Sequence, residues 1–136
     1  MSKMKMSDPA ANPQLISGFY DVENNAWRWT AKRFVMTFPT PANVTGAILT
    51  LHFFISENQI KSLGPITLDA DVNGKVLQAE TFSSPGVYTY SKPVPLSVLE
   101  SNLIPVVFYL NKAAPPTGSE TRELGVVVND VELKPF

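Results

Sequence analysis

Residues 66–76 constrain the fold more than any other stretch. Ile66, Leu68, Ala70 and Val72 alternate with Thr67, Asp69 and Asp71, and Asn73-Gly74 follows at once. A period of two puts the apolar set on one face of a strand and the polar set on the other. Asn-Gly supplies the two positive φ angles of a type I′ turn at little steric cost, so the pattern predicts a hairpin between Ile66–Val72 and Lys75–Phe82. A lone hairpin is marginal in water, and this one must bury its apolar face against another layer.

The rest of the chain repeats that grammar. Twelve Pro and seven Gly punctuate runs of β-branched and aromatic residues. Strands are predicted at Leu15–Tyr20, Trp29–Phe38, Ala47–Ile55, Val87–Ser91, Leu103–Leu110 and Leu124–Leu133. Ala47–Ile55 is apolar on much of both faces, as a central strand would be. Pro93–Ser101 has room for one helical turn, and Lys112–Glu123 reads as a long loop. No long amphipathic helix and no internal repeat is visible. About eight short strands at this spacing indicate an all-β, antiparallel two-sheet sandwich of jelly-roll type. Its expected core is Phe34, Met36, Leu49, Leu51, Phe53, Leu68, Val107, Tyr109 and Val127. At 136 residues one sandwich over 15–136 suffices. Residues 1–14 read as a flexible polar leader or an appended tail outside the core, with Lys3 and Lys5 but no apolar stretch of a signal peptide.

Composition removes several function classes. The sequence has no Cys, which excludes disulfides, thiolate metal sites and cysteine nucleophiles. It has a single His, so no site can need two imidazoles. Eleven Lys and Arg against twelve Asp and Glu leave a formal charge of −1, with no electrostatic footprint for nucleic acid. No window approaches the ~20 apolar residues of a membrane span. A soluble domain is expected, of unassigned compartment, with no cofactor and no metal site.

Catalytic constellations are equally sparse. No Ser lies in a GxSxG setting and no Gly-rich phosphate loop occurs. His52, mid-strand among apolar neighbours, is expected to be structural and core-facing. Asp69, Asp71 and Glu80 would serve as paired acids, or as a wet face that keeps the hairpin soluble. Tyr88 and Tyr90 share a strand face, where they either stack on a ligand or brace the sheet.

Trp27 and Trp29 also share a face if both are extended. Flat aromatic surfaces stack on the apolar C–H faces of sugars, and Glu23, Asn24, Asn25 and Arg28 supply hydrogen-bonding groups nearby. The competing reading is that Trp29 caps the core. Arg28 and Arg122-Glu123 mark two strand starts that can meet at one edge, which favours an Arg28–Glu123 or Glu23–Arg122 bridge. Glu23, Arg28, Arg122 and Glu123 are therefore expected in one cluster, either locking loops or forming a polar floor beneath Trp27.

These same residues carry a resemblance. Gly18-Phe19-Tyr20, Glu23 and Trp27-Arg28-Trp29-Thr30 resemble an opening of the form G-[WF]-Y-x-x-E…RW. Arg122-Glu123-Leu124-Gly125-Val126, followed by Leu133, resembles a closing R-x-LG-V segment, with Glu120 where an Asp is usual. Together they are similar to a β-sandwich domain of bacterial surface-polysaccharide synthesis proteins, often attached to glycosyltransferases. The resemblance implies a galactose-binding-like jelly roll and a binding or accessory role. The candidate ligand-binding residues are Glu23, Asn25, Trp27, Arg28 and Arg122, with no catalytic residue. The expected function is a non-catalytic carbohydrate-binding or accessory module, its partner a glycan or a neighbouring enzyme domain. The alternatives are a purely structural or interaction domain and, less favoured by the residues, a small hydrolase using Asp69, Asp71 and Glu80.

Overall fold

A computed structural model of the chain describes residues 3–136. Ten strands follow in the order β1 (Lys3–Lys5), β2 (Leu15–Glu23), β3 (Trp27–Pro39), β4 (Gly46–Ile55), β5 (Ile66–Val72), β6 (Lys75–Val76), β7 (Glu80–Phe82), β8 (Gly86–Pro95), β9 (Leu103–Leu110) and β10 (Val127–Pro135). A short helix α1 (Glu57–Leu63) lies between β4 and β5, and short 3-10 helices cover Pro9–Gln14 and Leu96–Val98.

All the strand pairings are antiparallel, and the spatial order is β6-β5-β9-β3-β10-β4-β8, with β1 beside β10, β2 beside β3 and β7 beside β5. The two expected sheets are thus halves of one hydrogen-bonded sheet. β3 joins them: Arg33–Pro39 pairs with β9, while Arg28 and Trp29 pair with β10. The halves then close on each other. Phe53 of β4 and Phe82 of β7 are far apart in strand order, yet their rings meet edge-to-face at 5.1 Å. Among the described residues no helix is long and apolar enough to cross a membrane.

The Asn-Gly hairpin forms as the pattern demands. Asn73 and Gly74 take φ of 48° and 95°, and the Gly74 N–H donates to Asp71 Oδ1 at 2.8 Å. Its second limb is split into β6 and β7 because the register against β5 slips between them: β6 pairs Val76 with Asp71, the Leu77 N–H still donates to the Ala70 carbonyl in that register, and β7 then pairs Glu80 with Leu68. β4 buries Ala47, Leu49, Leu51, Phe53 and Ile55, and β3 buries Phe34, Met36 and Phe38. Val127 is buried too, but on the side of the sheet opposite Val128.

Three expectations need correction. In β9 the inward residues are Ile104, Val106, Phe108 and Leu110; Val107 is half-buried and Tyr109 is 43% exposed. Both parities of that strand are apolar, so alternation alone could not choose. The register does, by setting Phe108 opposite Phe34, where the rings stack at 5.0 Å.

His52 faces outward, its side chain 41% exposed, with Nδ1 2.5 Å from Asp130 Oδ1. The inward positions of β4 belong to the opposite parity.

Residues 3–14 are not a leader outside the core. Met4, Met6 and Ala11 are fully buried, and β1 adds to the sheet with Met4 opposite Val131. Lys3-Met4-Lys5-Met6 is itself a period-two strand pattern, too short to stand out in sequence. Met1 and Ser2 lie outside the described residues.

Candidate functional site

The outer face of the sheet carries an apolar row. Trp29 on β3 registers with Val127 on β10, Val127 with Phe54 on β4, and Phe54 with Val87 on β8. Register partners project to the same face, so these four side chains lie side by side across four strands. Trp27, two residues before Trp29, shares that face and registers with Glu23 at the end of β2.

A bulge completes the arrangement. The register of β10 against β4 slips between Val128 and Asp130, so Asn129 and Asp130 both leave the core face. Asp130 goes to His52 and Asn129 to the row of rings. The result is a half-open cleft of about 410 Å³ lined by Glu23, Trp27, Trp29, Phe54, Val87, Val127 and Asn129. Val87 is 78% and Phe54 37% exposed at its margin. The floor is aromatic and aliphatic, and one carboxylate and one carboxamide stand at the edge. That is the usual chemistry of a small-molecule site, apolar with few polar groups.

Glu23 is held rather than free. Arg122 Nη1 donates to its Oε2 at 3.2 Å. Arg122 in turn is gripped by Glu120 through Nε–Oε1 at 2.9 Å and Nη2–Oε2 at 3.0 Å, and its guanidinium lies 5.2 Å from the Tyr20 ring centroid. The fork of bonds from Arg122 holds the Glu120 carboxyl down at about 2 and pushes the Arg122 guanidinium further up. Glu120 thus supplies the carboxylate that grips Arg122.

The expected four-residue cluster forms only in part. The Glu23–Arg122 bridge is present. The Arg28–Glu123 pair is not. Arg28 alternates with the two tryptophans and so points away from the cleft. Its guanidinium donates to the Met6 carbonyl at 3.2 Å, the Tyr20 carbonyl at 3.1 Å and Asn12 Oδ1 at 2.6 Å. Glu123 Oε1 instead accepts from the Lys32 N–H at 2.7 Å, and the Glu123 carbonyl accepts from Tyr20 O–H at 2.7 Å. Asn25 is exposed in the β2–β3 turn, where Asn24 and Asn25 take φ of 50° and 51°. Tolerance of the left-handed region explains an Asn there.

The two glycines of the end motifs are fixed by close approach. A Cβ on Gly18, whose φ is +80°, would lie 2.1 Å from the Arg33 carbonyl oxygen. One on Gly125 would lie 2.5 Å from that of Ala31 and 2.6 Å from Thr30 Oγ1. Gly18 lets β2 press against the middle of β3, and Gly125 lets the closing segment press against β3 beside Trp29.

The other candidates have structural partners. Tyr90 is fully buried with its hydroxyl donating to the Gln78 carbonyl, and burial pushes its pKa up to about 12. Tyr88 packs on Phe82 and Phe53, and its O–H donates to the Ser84 carbonyl. Asp71 caps the Asn-Gly turn and Glu80 pairs with Lys92. Among the described residues no group of three or more His, Asp or Glu is placed to hold a metal ion.

Phe54, Val87, Val127 and Asn129 were not singled out as site residues from sequence. The Val127-Val128-Asn129-Asp130 run breaks strict alternation, and that was the available sign of a bulge.

No family model matches the sequence, and no curated protein matches it. Solved structures do. A family 35 carbohydrate-binding module from Clostridium thermocellum superposes with a TM-score of 0.55 at 11% identity, covering 98% of each chain. The carbohydrate-binding module CBM36, solved with calcium and xylotriose, gives 0.51 at 13% identity, covering 98% of this chain and all of that one. The chain has the jelly-roll fold of these modules. A part of latent PorU from Porphyromonas gingivalis also matches, with a TM-score of 0.52 at 12% identity over 76% of this chain. The jelly roll spans only 10% of PorU, so it occurs there within a much larger chain.

Proposed function

We propose that this jelly roll is a non-catalytic carbohydrate-binding module whose ligand stacks on Trp27 and Trp29. The observation that carries this reading is the cleft itself: two half-buried indoles on one face of β3, beside a carboxylate held in place by Arg122. The apolar C–H face of a pyranose ring suits the aromatic floor, and its hydroxyls suit Glu23 and Asn129 at the margin. Arg122 is a positioning residue behind Glu23. Arg28 ties the N-terminal segment to β2 and has no part in the cleft. The likeness to modules that stand alone or inside larger chains supports an accessory role beside an enzyme domain. Of Asp69, Asp71 and Glu80, the acids a hydrolase would use, Asp71 and Glu80 are engaged structurally.

Binding to a panel of soluble oligosaccharides, measured by titration calorimetry, tests this directly. At least one oligosaccharide is expected to bind, and Trp27→Ala is expected to abolish that binding while the protein stays folded. No binding at millimolar concentration, or binding unaffected by Trp27→Ala, would overturn it.

A further inference from the structure

Trp29 lines a second cleft as well. It has a volume of about 240 Å³ and is bordered by Trp29, Ser56, Asn58, Ser62, Ala114 and Leu124. At that size it falls below the ~300–1,000 Å³ of a self-sufficient small-molecule site, whereas the two clefts together lie well within it. Trp29 borders both clefts.

The far wall is rigid and has spare polar groups. Ser56 and Gln59 close a reciprocal cap at the start of α1, with bonds of 2.9 and 3.2 Å. Gln59 is buried, and its side-chain amide donates to the Gly125 carbonyl, which ties α1 to the closing motif. Ala114 and Leu124 exchange two backbone bonds of 2.8 and 2.9 Å on the other side. Asn58 and Ser62, one helical turn apart, are exposed on the same ridge. Among the described residues neither side chain takes a hydrogen bond. A carboxamide and a hydroxyl, unpaired and carried on an anchored helix beside an indole, suit sugar hydroxyls and are too few to hold a ligand alone.

We infer that the two clefts are subsites of one groove, so that the ligand is an oligosaccharide chain running past Trp29, with a second sugar unit bound by Asn58 and Ser62. This rests on the glycan-binding reading above and adds the length and direction of the ligand.

The probes are xylohexaose, cellohexaose and mannohexaose, each beside its monosaccharide, titrated into the ¹⁵N-labelled full chain. With a hexasaccharide that binds, the amides of Asn58 and Ser62 shift together with the Trp27 and Trp29 indole signals; with its monosaccharide only the indole signals move. The double variant Asn58→Ala, Ser62→Ala lowers hexasaccharide affinity about ten-fold, the weight of two ordinary hydrogen bonds. It leaves monosaccharide binding unchanged, and alanine keeps α1 helical. Trp27→Ala removes both. Hexasaccharide binding that depends on Trp27 but ignores the double variant overturns the second subsite and leaves the first cleft standing. No response to any of the sugars counts against both.

Discussion

Arg122 Nη1 donates to Glu23 Oε2 at 3.2 Å across 99 positions of sequence, so the closing segment of the chain holds the one carboxylate that lines the aromatic cleft. The two side chains are 31% and 41% exposed, and solvent screens the pair. Its coupling in a double-mutant cycle of Arg122→Ala with Glu23→Gln, read by urea unfolding, is expected at about 0.2–1 kcal/mol. Oligosaccharide binding should weaken in either single variant, because Glu23 either loses its charge or loses its anchor. A cycle with no coupling would mean that Arg122 does not position Glu23.

Glu120 gives this network a pH signature. Its carboxyl is held at about 2 by Arg122, against 4.5 unperturbed. A depressed carboxyl stabilises the fold fully above its unfolded value, and that contribution is lost as pH falls toward its folded value. The Glu120–Arg122 fork is therefore expected to be intact above about pH 4.5 and to be lost as pH falls toward 2. The ¹³C signal of the Glu120 carboxyl should titrate near 2 in the wild type and near 4.5 in Arg122→Gln.

Arg28 should separate stability from binding. Its guanidinium serves two backbone carbonyls and Asn12, all away from the cleft. Arg28→Ala is expected to cost about 1–3 kcal/mol in unfolding, the range for hydrogen bonds from a charged donor at a half-buried site. Any oligosaccharide affinity should survive the change, as measured below the melting transition.

The N-terminal segment is part of the fold. Met6 is fully buried, and its N–H donates to the Asn129 carbonyl at 2.9 Å. Met6→Ala is expected to lose about 2–5 kcal/mol of stability, as for other buried methionine truncations. Thermal melting unchanged by that substitution would return residues 3–14 to the status of a tail.

Legibility in the sequence tracked how many physical constraints met at a position. The Asn73-Gly74 hairpin was legible because alternation and turn chemistry agree there. The inward face of β4 was legible because one parity is aliphatic or aromatic throughout. β9 was not, since both of its parities are apolar and only its pairing with β3 selects Phe108 over Tyr109. The helix α1 carries its signature in Ser56-x-x-Gln59, but seven residues hold too little periodicity to be noticed. Of the candidate site, Glu23 and Trp27 line the cleft, with Arg122 behind Glu23. Arg28 was misplaced because charge complementarity named a partner without knowing which face of β3 it occupies. Phe54 and Val87 enter through register across strands, which no local pattern encodes.

The account's central claim is that the Trp27–Trp29 surface receives a glycan. The protein has only two tryptophans, and both line the cleft, so fluorescence excited where indole but not tyrosine absorbs reads that surface. On titration with the soluble oligosaccharide panel, a saturable change in indole emission is expected with at least one member, lost in Trp27→Ala. Emission that stays unchanged while calorimetry records binding would place the ligand elsewhere on the protein and contradict the assignment.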